Sequence, residues 1–138
     1  LETGTPRIAE AIGWGAAVEW LDRHDMKEIH SHINRIASWT AEQISEIDGI
    51  TVYGDPTRGD SSGAVSFLHE SIQSQDLALL LDEGGFAVRT GHHCAQPLMD
   101  ALGVPSTNRA SFWLYNTMDE AEAFVEHLRY VVDRFSDK

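Results

Sequence analysis

The sequence has one cysteine, Cys94, and two lysines, Lys27 and Lys138, in 138 residues. A lone thiol cannot close an internal disulfide, so the fold does not rest on cross-links. A reducing, cytoplasm-like compartment fits such a chain best. Bases are outnumbered, ten against 22 acids, for a net charge of −12. That balance excludes the basic patches that phosphate-backbone binding needs. No apolar run reaches the roughly 18 residues of a membrane span. Residues 1–4, Leu-Glu-Thr-Gly, lack the basic flank and apolar stretch of a signal peptide. No nucleic-acid or membrane partner is therefore expected. The first residue is not Met, which fits a piece of something longer.

What is present reads as one domain over residues 1–138, long enough to bury a core. Thr5-Pro6 predicts a helix start, with Thr5 as N-cap. Ile8, Ile12, Ala16 and Trp20 follow at every fourth residue and predict a buried helical face. A second helix is expected over 26–47, with Met26, Ile29, Ile33, Ile36, Thr40, Ile44 and Ile47 inward and Gly49 as its stop. Residues 50–53 and 64–68 read as strands around a polar loop, Thr57 to Gly63. Residues 75–83 read as a helix capped by Ser74, and Phe86 to Arg89 as a strand. A short helix over 95–102 and a strand over 109–115 follow. Thr117 and Glu120 have the spacing of a capping box that opens a last helix, with Phe124, Val125, Leu128, Val131 and Val132 inward. The expected fold is α/β of the α+β kind: a small, mostly antiparallel sheet of about four strands packed by helices.

The chemistry concentrates in Arg89-Thr90-Gly91-His92-His93-Cys94-Ala95, between a strand and a helix. A thiol reacts as its thiolate, which the nearby Arg89, a protonated histidine or a helix start favours. Read from the residues alone, Cys94 is an activated nucleophile or a small buried hydrophobe. A metal site is not expected, because no second pair with ligand spacing lies near His92, His93 and Cys94. His24, His30, His32, His69 and His127 read as solvent-facing, Trp14, Trp20 and Trp39 as core or interface, and Arg109, taken alone, as a surface cation or a binding residue with nothing to choose between them. Arg58-Gly59-Asp60 is a chance tripeptide in a loop.

Residues 89–99, Arg-Thr-Gly-His-His-Cys-Ala-Gln-Pro-Leu-Met, resemble the active-cysteine segment of group II, Suf-type cysteine desulfurases in the class V aminotransferase family. Glu2-Thr3-Gly4-Thr5-Pro6 is similar to the segment that leads into that family's C-terminal domain. Leu77 to Val88, Arg109-Ala110-Ser111 and Tyr115-Asn116-Thr117 are similar to its later elements, in matching order. The resemblance implies the small domain of a fold-type I enzyme that uses pyridoxal 5'-phosphate (PLP). Cys94 would take sulfur from L-cysteine held on PLP, become a persulfide and leave alanine, for iron-sulfur cluster assembly. Arg109 would pair the substrate carboxylate, since its planar fork matches two oxygens. Arg89 would add positive charge beside substrate and thiol, and His92 and His93 would shape the site. Gly4 and Thr5 would approach the cofactor phosphate of the partner subunit in a homodimer, and a sulfur-acceptor protein would take the persulfide sulfur.

One departure matters. The family attaches PLP to a lysine that follows a histidine in its large domain, and no His-Lys pair occurs in this chain. The large domain is expected to be absent, and the chain alone is expected to be inactive. Two further readings stand beside this one: a selenocysteine lyase, and a stand-alone sulfur-carrier or interaction module, favoured if the natural chain begins near Leu1.

Overall fold

Local signals and long-range pairing divide the work of building this chain. The computed structural model describes residues 4–55 and 62–136. It divides into two units, Leu1–Ser31 and His32–Lys138.

In the first unit, helix α1 spans Ile8–Leu21. Its N-cap is Arg7, without a side-chain cap bond, so Thr5 is not the cap that its residue type suggested. The Ile8 N–H donates to the Pro6 carbonyl at 2.9 Å, a tight turn ahead of the helix. No residue of α1 is buried, and the expected inner face of Ile8, Ile12, Ala16 and Trp20 is not found. Ten of its fourteen residues are apolar and only Glu10 and Glu19 are charged, so the four-residue stripe does not single out one side. Trp14 and Trp20 are exposed, against the core half of the reading given to them.

Helix α2 spans Met26–Ser45, opened by Asp25, whose Oδ1 accepts from the Lys27 N–H at 2.8 Å. Its expected stripe holds from Ile33 on: Ile33, Ile36, Thr40 and Ile44 are buried, whereas Met26 is exposed. Four strands follow, β1 (Ile50–Tyr53), β2 (Ala64–His69), β3 (Arg89–Gly91) and β4 (Thr107–Ser111). They form one antiparallel sheet in the order β1-β2-β4-β3. Helices α3 (Ser74–Glu83), α4 (Gln96–Leu102) and α5 (Met118–Phe135) complete the unit.

The sheet alternates by side chain, as strands do. Val65, Phe67 and Ala110 join Ala37, Ile44, Leu77, Leu128 and Val131 in the core. Phe67 and Phe86 each meet the Phe124 ring edge-on, at 6.2 and 5.8 Å between centroids. This places α2, α3 and α5 against one face of the sheet. Ser66 and Arg109 alternate with those core residues, and the pairing sets Arg89 opposite Arg109 on the other face. No helix among the described residues is long and apolar enough to cross a membrane.

Several boundaries differ from the sequence reading. The strand expected over 86–89 begins at Arg89, the first residue that pairs with β4; Phe86 and Val88 pack on the core instead. The strand expected over 109–115 ends at Ser111, where the Asn116 Oδ1 takes the Trp113 N–H at 2.8 Å and turns the chain. Ser74 is not a cap; its hydroxyl bonds the Ser106 hydroxyl at 2.6 Å. His69, expected in solvent, is buried, and its Nδ1 accepts from the N–H groups of Ser71 and Ile72. Arg58-Gly59-Asp60 and most of the 57–63 loop lie outside the described residues.

The last helix is as expected. The Thr117 hydroxyl accepts from the Glu120 N–H and the Glu120 carboxylate accepts from the Thr117 N–H, a complete capping box. Replacing Thr117 by Ala is expected to lower unfolding stability by about 1 kcal/mol, read from a urea midpoint that shifts at constant slope.

Candidate active site

The outward face of β2 and β4, the end of β1 and the turn and helix at α4 line a cavity of about 440 Å3. Tyr53, Ser66, His93, Leu98, Met99 and Arg109 are among its lining residues. A larger cavity, about 810 Å3, has Glu46, Asp48, Glu70 and Asp133 in its walls against Arg129. Arg109 and both neighbours of Cys94 in the chain, His93 and Ala95, line the smaller cavity and not the larger one, so the smaller cavity is the candidate.

The sheet register brings two cations together. Arg89 on β3 lies directly opposite Arg109 on β4. Like charges set opposite one another across strands cost roughly 0.2–1 kcal/mol. No carboxylate bridges them among the hydrogen bonds of the described residues. Arg109 donates from Nε to the Ser111 hydroxyl at 3.2 Å, which orients its guanidinium without neutralising it. Such an arrangement suits a bound anion.

Arg89 also reaches the thiol. Its Nη2 lies 3.5 Å from Cys94 Sγ, and Cys94 is exposed. The buried-hydrophobe alternative for Cys94 is thereby set aside. His93 and Cys94 both have positive φ, 56° and 59°. Left-handed backbone at residues with a Cβ costs about 1–3 kcal/mol each, and it gathers at functional turns. The following helix adds less than its position suggested: Pro97 in the first turn of α4 removes one N–H donor.

His93 is tied to β4. Its Nε2 lies 3.1 Å from the Thr107 carbonyl oxygen and 3.0 Å from the Thr107 hydroxyl. Burial lowers its pKa below the usual 6.5, and the Arg109, Arg89 and His92 charges push the same way, against the backbone hydrogen bond to Thr107. The folded chain therefore binds this proton less well than the unfolded chain. Its share of stability is present above pH ~6.5 and falls as the pH drops through that value.

Of the residues singled out in the sequence, Arg89, His93, Cys94 and Arg109 meet at this face, and exposed His92 sits in the same turn. Gly4 and Thr5 belong to the first unit and are exposed. Thr107 was missed because β4 was expected to start two residues later, and Ser66 because only the pairing of β2 with β4 sets it beside Arg109. The threonine side chain two positions before Arg109 was the available signal.

The cofactor implied by the resemblance needs a lysine for attachment. Lys27 is exposed and does not line the cavity, and Lys138 lies outside the described residues. The residues present thus fit the substrate side of such a site, a thiol beside two cations, and not the attachment side.

Residues 1–124 match the Aminotransferase class-V family. A probable cysteine desulfurase of Halalkalibacterium halodurans is 45% identical over 134 residues, covering 97% of this chain and 32% of the relative. A cysteine desulfurase of Haloferax volcanii is 42% identical over 125 residues, 91% of this chain and 29% of the relative. The chain spans about a third of the length of these curated relatives. Among solved structures, the apo cysteine desulfurase of Thermococcus onnurineus NA1 superposes with a TM-score of 0.90 at 34% identity, over 97% of this chain and 33% of that one. The cysteine desulfurase CsdA of Escherichia coli gives a TM-score of 0.89 at 34% identity, with the same coverage.

Proposed function

The chain belongs to the class-V aminotransferase family, and on that premise we propose that it is the C-terminal, small domain of a Suf-type cysteine desulfurase. The observation that carries the proposal is the exposed Cys94 Sγ, 3.5 Å from Arg89 Nη2, beside the opposed Arg89–Arg109 pair.

Each residue has a task in this reading. Arg109, oriented by Ser111, pairs the carboxylate of L-cysteine, and Arg89 adds charge on the side of the thiol. Cys94 attacks the substrate sulfur. A sulfur–sulfur bond forms as the carbon–sulfur bond breaks; the electron pair stays with the carbon, which takes a proton to give alanine. PLP, when bound, supplies the electron sink that makes this cleavage possible. Gly4 and Thr5 are assigned to the cofactor phosphate of the partner subunit. In this proposal the cofactor's lysine lies in a large domain outside residues 1–138, the full-length protein is a cytoplasmic homodimer, and a sulfur-acceptor protein takes the persulfide sulfur for iron-sulfur cluster assembly.

The test supplies the full-length protein with PLP and L-cysteine and measures alanine and sulfide under reducing conditions. Equal amounts of both are expected, and no alanine from the 138-residue chain alone. Absence of alanine from the full-length protein, or turnover by the chain alone, contradicts the reading.

A further inference from the structure

His93 (φ 56°) and Cys94 (φ 59°) are consecutive left-handed residues, and neither is glycine. Backbone of this kind persists where neighbouring contacts hold it. Cys94 offers one side-chain hydrogen bond among the described residues, to an exposed arginine. His93 offers a stronger one, because Thr107, which receives it, is only 1% exposed. A carbonyl oxygen can only accept, so His93 Nε2 carries the hydrogen. Nδ1 is then a bare acceptor in the neutral ring; it is buried and has no hydrogen-bond partner among the described residues.

We propose that His93 is a positioning residue: its neutral ring, donating from Nε2 to the Thr107 carbonyl, latches the turn that holds Cys94 against Arg89. The proposal rests on the reading of Cys94 as the sulfur-accepting thiol, and it adds how that thiol is held. The surroundings agree on the neutral form. Arg109 from β4 and Arg89 from β3 face the ring, His92 and Cys94 flank it on its own turn, and Tyr53 from β1 lines the same cavity. Protonation would bury a second N–H with no acceptor, close to two permanent cations. Burial, the leading cause, and these charges hold the ring below its usual pKa. A latch of this kind works by geometry and a single donor, so it neither needs nor uses a titration.

The test is the rate at which iodoacetamide alkylates the Cys94 peptide in the full-length protein, without cofactor or substrate. His93→Ala is expected to slow this at pH 7.5 about fivefold or more, because the thiol leaves its cation. His93→Phe keeps a ring but no donor and is expected to be equally slow; should the Ala variant fail to fold, it reads the same loss. His93→Gln places an amide N–H where Nε2 was and is expected to restore the rate to within about twofold. Wild-type rates in both Ala and Phe overturn the latch. A Gln variant as slow as Phe also overturns it, since the ring then acts by charge or as a base. None of these rates depends on turnover, so they fail separately from the desulfurase reading: a protein that alkylates as expected but never accepts sulfur keeps the latch and loses the proposed function.

Discussion

Cys94→Ala is expected to abolish sulfur uptake by the full-length protein while leaving its fold intact. The fold half follows from the surroundings of Cys94. The side chain is exposed and its hydrogen bond is to the exposed Arg89, so its loss should move stability by no more than about 0.5 kcal/mol. Alanine has a Cβ as cysteine does, and the left-handed φ at this position costs both the same. The chemical half follows from the reaction. Without a thiolate there is nothing to accept the substrate sulfur, and removal of a covalent nucleophile costs on the order of a thousandfold or more in turnover. Alanine release should fall by that factor in a variant whose melting curve overlays the wild type. Undiminished alanine release would remove Cys94 from the mechanism.

Arg109→Gln should separate stability from activity. Arg109 faces Arg89 across the β3–β4 pair, so removing its charge relieves a like-charge opposition worth roughly 0.2–1 kcal/mol. The variant is expected to unfold at a slightly higher urea concentration than the wild type. Glutamine offers the substrate carboxylate one neutral donor in place of a charged fork. Loss of charge-assisted hydrogen bonds of about 1.5–3 kcal/mol predicts a fall in kcat/KM of roughly ten- to a hundredfold. A structural arginine would give the opposite pair of results, lower stability with activity retained. Kinetics and unfolding on the same preparation decide between them.

Elements whose signals are local were legible in the sequence. Thr117 and Glu120 lie three residues apart and satisfy each other within one turn, so both the start of α5 and its inner face were readable. The Ile33–Ile44 stripe of α2 is likewise periodic and buried. Strand limits were not, because partners distant in sequence define them: β3 is the three residues, Arg89–Gly91, that pair with β4, and β4 ends where Asn116 turns the chain. In α1 the four-residue repeat was real but carried no information about a face, since apolar residues surround the helix. The same divide runs through the site. Arg89 and Cys94 are five residues apart, and their meeting could be anticipated. The Thr107–His93 tie spans 14 residues, and no local pattern announces it. Asn108, fully buried with both amide atoms lacking a hydrogen-bond partner among the described residues, runs against any reading from residue type.

The central claim is that Cys94 carries sulfur, and mass spectrometry tests it most directly. The full-length protein is given PLP and L-cysteine without reductant, stopped after a single turnover and digested. The expected result is one added sulfur atom, located on the peptide that contains Cys94. Sulfur on a different residue, or alanine released with no sulfur on the protein, would contradict the account.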